Sequence, residues 1–344
     1  MSPLEGTPAA PPADGNDVTV IIVNWNGGEM LATCVKHLQA QTTLPARVLV
    51  VDNASSDNSL AQLPPWDRLT VLRMPSNLGF AAGNNRALEV ATTHYVALLN
   101  PDAFAAPDWI EQLLKVAQAH PKAASVGSRQ LCHEAPTQLD GTGDCYHLSG
   151  LAWREGHGQP QQPSHLIERE IFAPCAAAAL YRRHALQEIG GFDERYFCYM
   201  EDVDAGFRLR LAGHTSRYAP QAWVTHVGSA TSGGKRSGFA SYHGHRNMVW
   251  TYIKNMPGPL LWALLPLHLA ANIASLLVLA VRGQGRIGVQ AKWHALLGAR
   301  YAWQQRRNNL HNCKASAADI WRVLDKSIPF LQISPSSRDH QQTR

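Results

Sequence analysis

Val18-Thr-Val-Ile-Ile-Val23, running straight into Asn24-Trp-Asn-Gly-Gly28, is the stretch whose reading decides the fold. Every residue of the run is β-branched, which stiffens the side chain and favours extended backbone. No polar residue alternates with the apolar ones except Thr19, so the strand is expected to be buried on both faces, as in a parallel sheet. Working outward, a helix fits Glu29 to Gln41, and a second apolar strand, Arg47-Val-Leu-Val-Val51, leads into Asp52-Asn-Ala-Ser-Ser-Asp57. Strand, helix, strand implies parallel pairing with a crossover. A third strand over 70–74, a glycine-started helix over 79–92 and a fourth strand over 94–99, ending on Asn100-Pro-Asp102, complete an α/β layered half with a mostly parallel sheet.

In such sheets ligands lie beyond the carboxyl ends of the strands, where helix N-termini point inward. Asn24, Asp52 and Asp102 each stand at such an end. A dinucleotide fold would share this layout, but the Gly-x-Gly-x-x-Gly signature is missing after the first strand, which disfavours a nicotinamide dehydrogenase. The segment Asn77-Leu-Gly-Phe-Ala-Ala-Gly-Asn-Asn85 supplies glycines for close backbone approach, Gly79 among them, and the amides of Asn77 and Asn84 to read a ribose or pyrophosphate. Mg²⁺ or Mn²⁺ takes oxygen ligands and commonly binds through one or two carboxylates plus substrate phosphates, a part that Asp102 suits.

Further along, Glu201, Asp202 and Asp204 crowd three carboxylates into four positions at an expected helix start. Their repulsion must be offset by a cation, a basic partner or a raised pKa, and a general base is a natural occupant. His226 follows a short apolar strand over 222–225 and precedes Gly228-Ser-Ala-Thr-Ser-Gly233, which suits ligand or phosphate contact.

At 344 residues, 45% hydrophobic and 17% charged, the chain can bury one large domain or two smaller ones. Its six cysteines include no Cys-x-x-Cys pair, so neither a zinc knuckle nor a redox dithiol is expected and a reducing cytoplasm fits. Residues 1–17, with four prolines and no apolar core, read as a disordered tail rather than a signal peptide. No Asp or Glu occurs between Asp204 and Asp319, while fourteen Lys or Arg do. This unopposed basic region is interrupted by an apolar segment rather than interleaved with stacking aromatics, which points to an anionic membrane face and phosphate-bearing substrates and away from nucleic acid.

That apolar segment, Pro259 to Val281, has 23 residues without Asp, Glu, Lys or Arg, long enough to span a bilayer. Pro266 and a polar stripe of His268, Asn272 and Ser275 favour a monotopic or re-entrant helix, with spanning and burial as the alternatives. The chain is thus divided into a tail over 1–17, a catalytic domain over 18–255, a helical membrane-associating region over 256–312 and a C-terminal tail over 313–344. Removing residue 257 onward is expected to leave a soluble, donor-binding protein.

Val20-Ile-Ile-Val-Asn-Trp-Asn26, Val50-Val-Asp-Asn-Ala-Ser-Ser-Asp57, the glycine loop from Asn77 to Asn85, Leu99-Asn-Pro-Asp102, Gly191-Phe-Asp-Glu194, Glu201-Asp-Val-Asp204 and His226 together resemble the large family two of inverting glycosyltransferases with the GT-A nucleotide-sugar-binding fold. The likeness runs in order from Val18 to Lys254 and is greatest for bacterial rhamnosyltransferases. It implies a metal-dependent enzyme that moves a sugar from a nucleoside diphosphate, dTDP-rhamnose being the donor the likeness favours. The acceptor would be lipid-linked or a glycan, in cell-surface polysaccharide synthesis at the inner face of the cytoplasmic membrane. Asp52 would bond the nucleobase, Asn24 and Asn77 would lie along the nucleoside, and Asn100 and Asp102 would stand in the Asp-x-Asp metal motif, His226 being a further metal ligand. Asp202 would be the base and Glu201 its neighbour. Two departures are Asn100, in place of the first acid, and Ala176, where relatives place a glycine beneath the acceptor. A catalytically silent nucleotide-sugar-binding module and a nucleotidyltransferase are the alternatives, and the oligomeric state stays open.

Overall fold

The computed structural model describes residues 17–228, 237–311 and 313–327. Residues 1–16 of the expected tail over 1–17, the segment 229–236 and residues 328–344 lie outside the described residues, while Asp17 is placed and accepts from the His94 amide at 2.9 Å. The β-branched run forms β1 (Val18–Asn24), buried along its whole length. In chain order follow α1 (Gly28–Gln39), β2 (Arg47–Asp52), β3 (Leu69–Arg73), α2 (Gly79–Val90) and β4 (Tyr95–Leu99). β1 lies between β2 and β4 and is parallel to both, which accounts for its lack of a polar face. Its alternate side chains serve two cores. Val18, Val20 and Ile22 pack with Leu31, Val35 and Leu38 of α1, whereas Ile21 and Val23 pack with Ala81, Ala87 and Leu88 of α2.

The chain continues through β5 (Ala103–Ala105), α3 (Trp109–Ala119), β6 (Ala123–Cys132), β7 (Leu139–Gly141), β8 (Asp144–Tyr146), β9 (Ala152–Arg154), β10 (Arg169–Glu170), β11 (Ala178–Arg182), α4 (Arg183–Glu188), α5 (Glu201–Leu211) and β12 (Thr215–His226). The sheet order is β10-β12-β6-β11-β4-β1-β2-β3. β11 is antiparallel to β4 and β6, while β1 to β4 and the β6–β12 pair are parallel, giving the mixed, mostly parallel sheet that was expected. α1 and α3 cover one face; α2, α4 and α5 cover the other.

The remaining helices are α6 (Gly238–Asn255), α7 (Gly258–Val281), α8 (Gly285–Leu297), α9 (Ala299–His311) and α10 (Ala317–Val323). They do not form the detachable region expected from the sequence. Tyr146, Phe172 and Phe207 of the catalytic half share one apolar cluster with Tyr252 of α6, Leu261 of α7 and Ile320 and Leu324 at α10. Arg306 of α9 is buried and donates from Nη1 to the Ile253 carbonyl at 3.0 Å and to that of Met256. Residues 313–327 are likewise no tail, since Ile320 is buried and the Asp325 amide donates to the Tyr146 carbonyl at 2.9 Å. A long charged side chain satisfied by main-chain carbonyls gives no hydrophobic signal in sequence, so this interlock could not be read there.

Candidate active site

A cleft of about 670 Å³ opens at the carboxyl ends of β1, β2 and β4. One wall carries Trp25, Asn53, Asn77 and Gly79, the floor carries Asn100, Asp102 and His226, and the far wall carries Glu201 and Asp202. The structure therefore brings together seven of the expected residues from four separate stretches of chain.

Asn24, Asp52 and Asn84 stand behind this surface. Asn24 is completely buried, and its Nδ2 donates to Ser55 Oγ and Ser59 Oγ at 3.0 Å each and to Asp52 Oδ1 at 3.4 Å. It pins the loop after β2 rather than meeting a ligand, so Val23, Trp25 and Asn53 line the cleft where Asn24 and Asp52 were expected. Asn84 is also corrected to a structural place: its Nδ2 donates to the Phe80 carbonyl at 2.9 Å within α2. Asn77 Oδ1 accepts from the Gly79 amide at 2.9 Å and shapes the start of α2. Gly79, at φ +85°, has no room for a side chain, because a Cβ would stand 2.6 Å from the Phe197 carbonyl oxygen. The glycine is required by this close approach of the two cleft walls.

On the floor, His226 lies between two carboxylates. Nδ1 is 2.7 Å from Asp140 Oδ2 and Nε2 is 3.3 Å from Asp102 Oδ1. Asp140 only accepts, so Nδ1 carries a proton, while Nε2 faces both Asp102 and, at 3.4 Å, the Asn100 amide nitrogen; a second proton on Nε2 would make the ring an imidazolium. Burial opposes that charge, but the bonds to Asp102 and Asp140 outweigh it and raise the pKa above the usual value. Burial likewise opposes ionisation of Asp102, yet His226 and the Gly228 amide, which donates to Oδ2 at 3.1 Å, hold the carboxyl below its ordinary range. Asp140 is anchored by Arg154, whose Nη1 donates to Oδ2 at 2.5 Å. Neither Asp140 nor Arg154 was expected; the only signal for them is the pair of carboxylates around two glycines in Asp140-Gly-Thr-Gly-Asp144.

The crowded acids of α5 divide the ways of relieving repulsion among themselves. Asp204 is fully buried, paired with Lys254 at 2.9 Å and Arg208 at 2.8 Å, and although burial opposes its charge these partners keep its pKa low. Among the described residues Glu201 has no cationic partner, and burial and the Asp202 charge push its carboxyl well above the usual range. Asp202 lines the cleft beside Glu201 and is the least buried of the three. Its Oδ1 accepts from the Val203 amide at 2.8 Å and its Oδ2 from the Ala176 amide at 3.1 Å, which fixes the carboxylate against the turn before β11. Ala176 thus holds Asp202 through its backbone, a role its methyl group does not obstruct.

Two sets of side chains could be considered for a cation. Asp144, Cys175 and Asp202 place ligand atoms within 4.8 Å of one another. Burial pushes the Asp144 carboxyl and the Cys175 thiol upward, and a soft sulfur ligand suits a hard cation less well than oxygen does. Asp102 Oδ1 and His226 Nε2, 3.3 Å apart, fit better, because a cation could replace the Nε2 proton while Asp140 retained the bond to Nδ1. That is the common carboxylate–histidine–metal arrangement.

A mixed sheet with this strand order and a cleft across its carboxyl edge are the architecture of the GT-A class. The chain belongs to glycosyl transferase family 2, whose model matches residues 19–190. It is 29% identical over 238 residues to N-acetylglucosaminyl-diphospho-decaprenol L-rhamnosyltransferase of Mycobacterium tuberculosis, covering 62% of this chain and 77% of that one. The fold is shared with GalNAc-T7 bound to UDP, GalNAc and Mn²⁺, at a TM-score of 0.56 and 16% identity, covering 69% of this chain and 47% of that one. It is shared too with the mannosyltransferase PcManGT of Pyrobaculum calidifontis bound to GDP-Man and Mn²⁺, at 0.52 and 18%, covering 92% and 91%. The chain is a glycosyltransferase, of the kind that resembles rhamnosyltransferases of cell-surface polysaccharide synthesis.

Proposed function

We propose that the enzyme transfers a deoxyhexose, with dTDP-rhamnose the leading donor, to a lipid-linked acceptor by one inverting displacement. The observation that carries this reading is that Asp102, beside His226, and Asp202 line one cleft. The decaprenol-linked substrate named for the mycobacterial relative supports the acceptor class. Asn53, Asn77 and the backbone at Gly79 hold the nucleoside, and Trp25 covers it. A divalent cation, Mg²⁺ or Mn²⁺, held by Asp102 and His226 would supply charge neutralisation for the leaving diphosphate. Asp202, steered by the Ala176 and Val203 amides, takes the proton of the acceptor hydroxyl as that oxygen attacks the anomeric carbon from the face opposite the diphosphate. Glu201, buried beside it, is held well above the usual carboxyl range by burial and by the Asp202 charge.

Turnover of a panel of nucleotide sugars with a polyprenyl-diphosphate glycan acceptor tests the reading. Asp202→Asn should retain donor binding and lose turnover by ~10² to 10⁴, the usual worth of a positioned base. Near-normal turnover of that variant would remove Asp202 from the role. Donor affinity unchanged by EDTA would remove the cation.

A further inference from the structure

α7 is held to its neighbours at three buried positions, and the rest of the helix is exposed or half-buried. Leu261 near its start and Leu279 near its end are both buried, and between them His268 stacks on Tyr252 of α6 at 3.9 Å and its Nδ1 donates to the Ser149 carbonyl at 2.7 Å. The anchors on the catalytic half and α6, Leu261 and His268, span ~10 Å of helix at 1.5 Å per residue, and Leu279 further along is covered by α8. A helix fastened sideways at its start and middle lies along the protein instead of running free of it. Its opposite face is apolar and open to solvent: Trp262, Leu269, Ile273, Leu277 and Val281 recur at spacings of seven and four, with Val281 90% exposed.

The sequence gave no warning that α8 repeats this design. Gly288, Ala291 and Ala295 are buried, and Gly288 fits where a Cβ would stand 2.8 Å from Leu279 of α7. Val289, Trp293, Leu296 and Leu297 on the other side are each 58% to 65% exposed. Trp303 of α9, 40% exposed, lies 6.4 Å from Trp262 and extends the surface. Soluble proteins rarely leave so many large apolar side chains contiguous and uncovered. The cations around them, Arg282, Arg286, Arg300 and Arg307, are exposed, and no acid occurs between Asp204 and Asp319 to balance them.

We infer that the outer faces of α7 and α8 form an in-plane seat for an anionic leaflet, with the tryptophans at headgroup depth and the arginines on lipid phosphates. α6 connects this seat to the cleft. Its first turn brings Phe239 into the cleft, while Gly238 next to it is pressed on Ile287 of α8 and Ser241 Oγ donates to Gln284 Oε1 at 2.6 Å. One turn of α6 thus touches both the cleft lining and the helix that carries the seat. A headgroup-borne acceptor could enter while its hydrocarbon stays in the bilayer.

The seat is separable from the transfer reading, because the test measures binding and not turnover. The full chain is floated with vesicles of phosphatidylcholine containing 30% phosphatidylglycerol, and with phosphatidylcholine alone. Retention should be at least tenfold greater on the anionic vesicles and fall only in part at high salt. Leu277→Glu on α7 and Leu297→Glu on α8 should each weaken retention tenfold or more while leaving the thermal midpoint unchanged, since both side chains point away from the protein. Loss only with the α7 variant would overturn the in-plane seat in favour of a spanning helix. A full chain that stays unbound as a monomer, or as a dimer dissociated by Leu297→Glu, would overturn the lipid occupant.

Discussion

Asp140 shows how much a single unflagged residue can decide. It accepts from His226 Nδ1 and from Arg154 Nη1, so it sets which nitrogen of His226 faces Asp102. Asp140→Asn should lower Mn²⁺ affinity by ~10- to 100-fold, the usual cost of losing an outer carboxylate behind a metal-binding histidine. A lower thermal midpoint with an unshifted Mn²⁺ titration would make Asp140 merely structural. His268 makes the opposite point, a histidine built to stay neutral. Its Nδ1 donates to Ser149 and its Nε2 faces the Asn272 amide nitrogen at 3.1 Å, while burial lowers its pKa from 6.5 to about 4. The unfolded chain then takes up the proton first as pH falls, so stability is complete above pH 6.5 and is lost between 6.5 and 4, by at most ~1.4 kcal/mol per pH unit for this group. The thermal midpoint should fall from pH 7 to pH 5, and fall less in His268→Phe. Equal falls would show that other groups carry the acid sensitivity.

At the level of elements, β1, β2 and β4 were legible because continuous burial on two faces leaves an uninterrupted apolar run. α2 and the start of α5 were legible from a glycine and a cluster of acids. β12 was legible only in part: its last residues were expected, but the strand begins at Thr215, where Ser216 and Arg217 hide it, and a bulge between Ala219 and Trp223 breaks the alternation. The site was read through residues at strand ends, and that rule leads both to Asp102, which lines the cleft, and to Asn24, whose amide bonds the loop beside it. Gly79 joins two elements, since the Ala81 amide of α2 donates to the Phe197 carbonyl at 3.1 Å. Gly79→Ala should therefore cost ~1 to 3 kcal/mol through the strained φ and the overlap with Phe197, and should weaken donor binding as well. Urea midpoints and donor titration check this; a stable variant with intact affinity would show that the walls can part without harm.

For the whole molecule, the interlock of α6, α9 and α10 with the catalytic half reverses the expectation for truncation. Ending the chain before residue 257 would strip Leu261, Arg306 and Ile320 from a shared core and leave the carbonyls of Ile253 and Met256 without Arg306. Such a fragment should be insoluble or unfolded rather than a soluble donor binder, as circular dichroism and exclusion chromatography would show. The proposed seat on α7 and α8 would be lost in the same cut, so it is better tested by the surface changes at Leu277 and Leu297.

The loop before Asp202 is bent into left-handed backbone at Phe197, Tyr199 and Met200, and the Asn247 amide nitrogen of α6 lies 2.8 to 3.1 Å from the carbonyls of Tyr196, Cys198 and Tyr199. Lys254, also of α6, is paired with Asp193 at the loop's other end. The family model stops at residue 190, before any of this begins. Chimeras between relatives should accordingly tolerate exchange of the donor half up to Gly190, whereas a graft that carries α5 without its own α6 would deliver the acid with no brace to aim it.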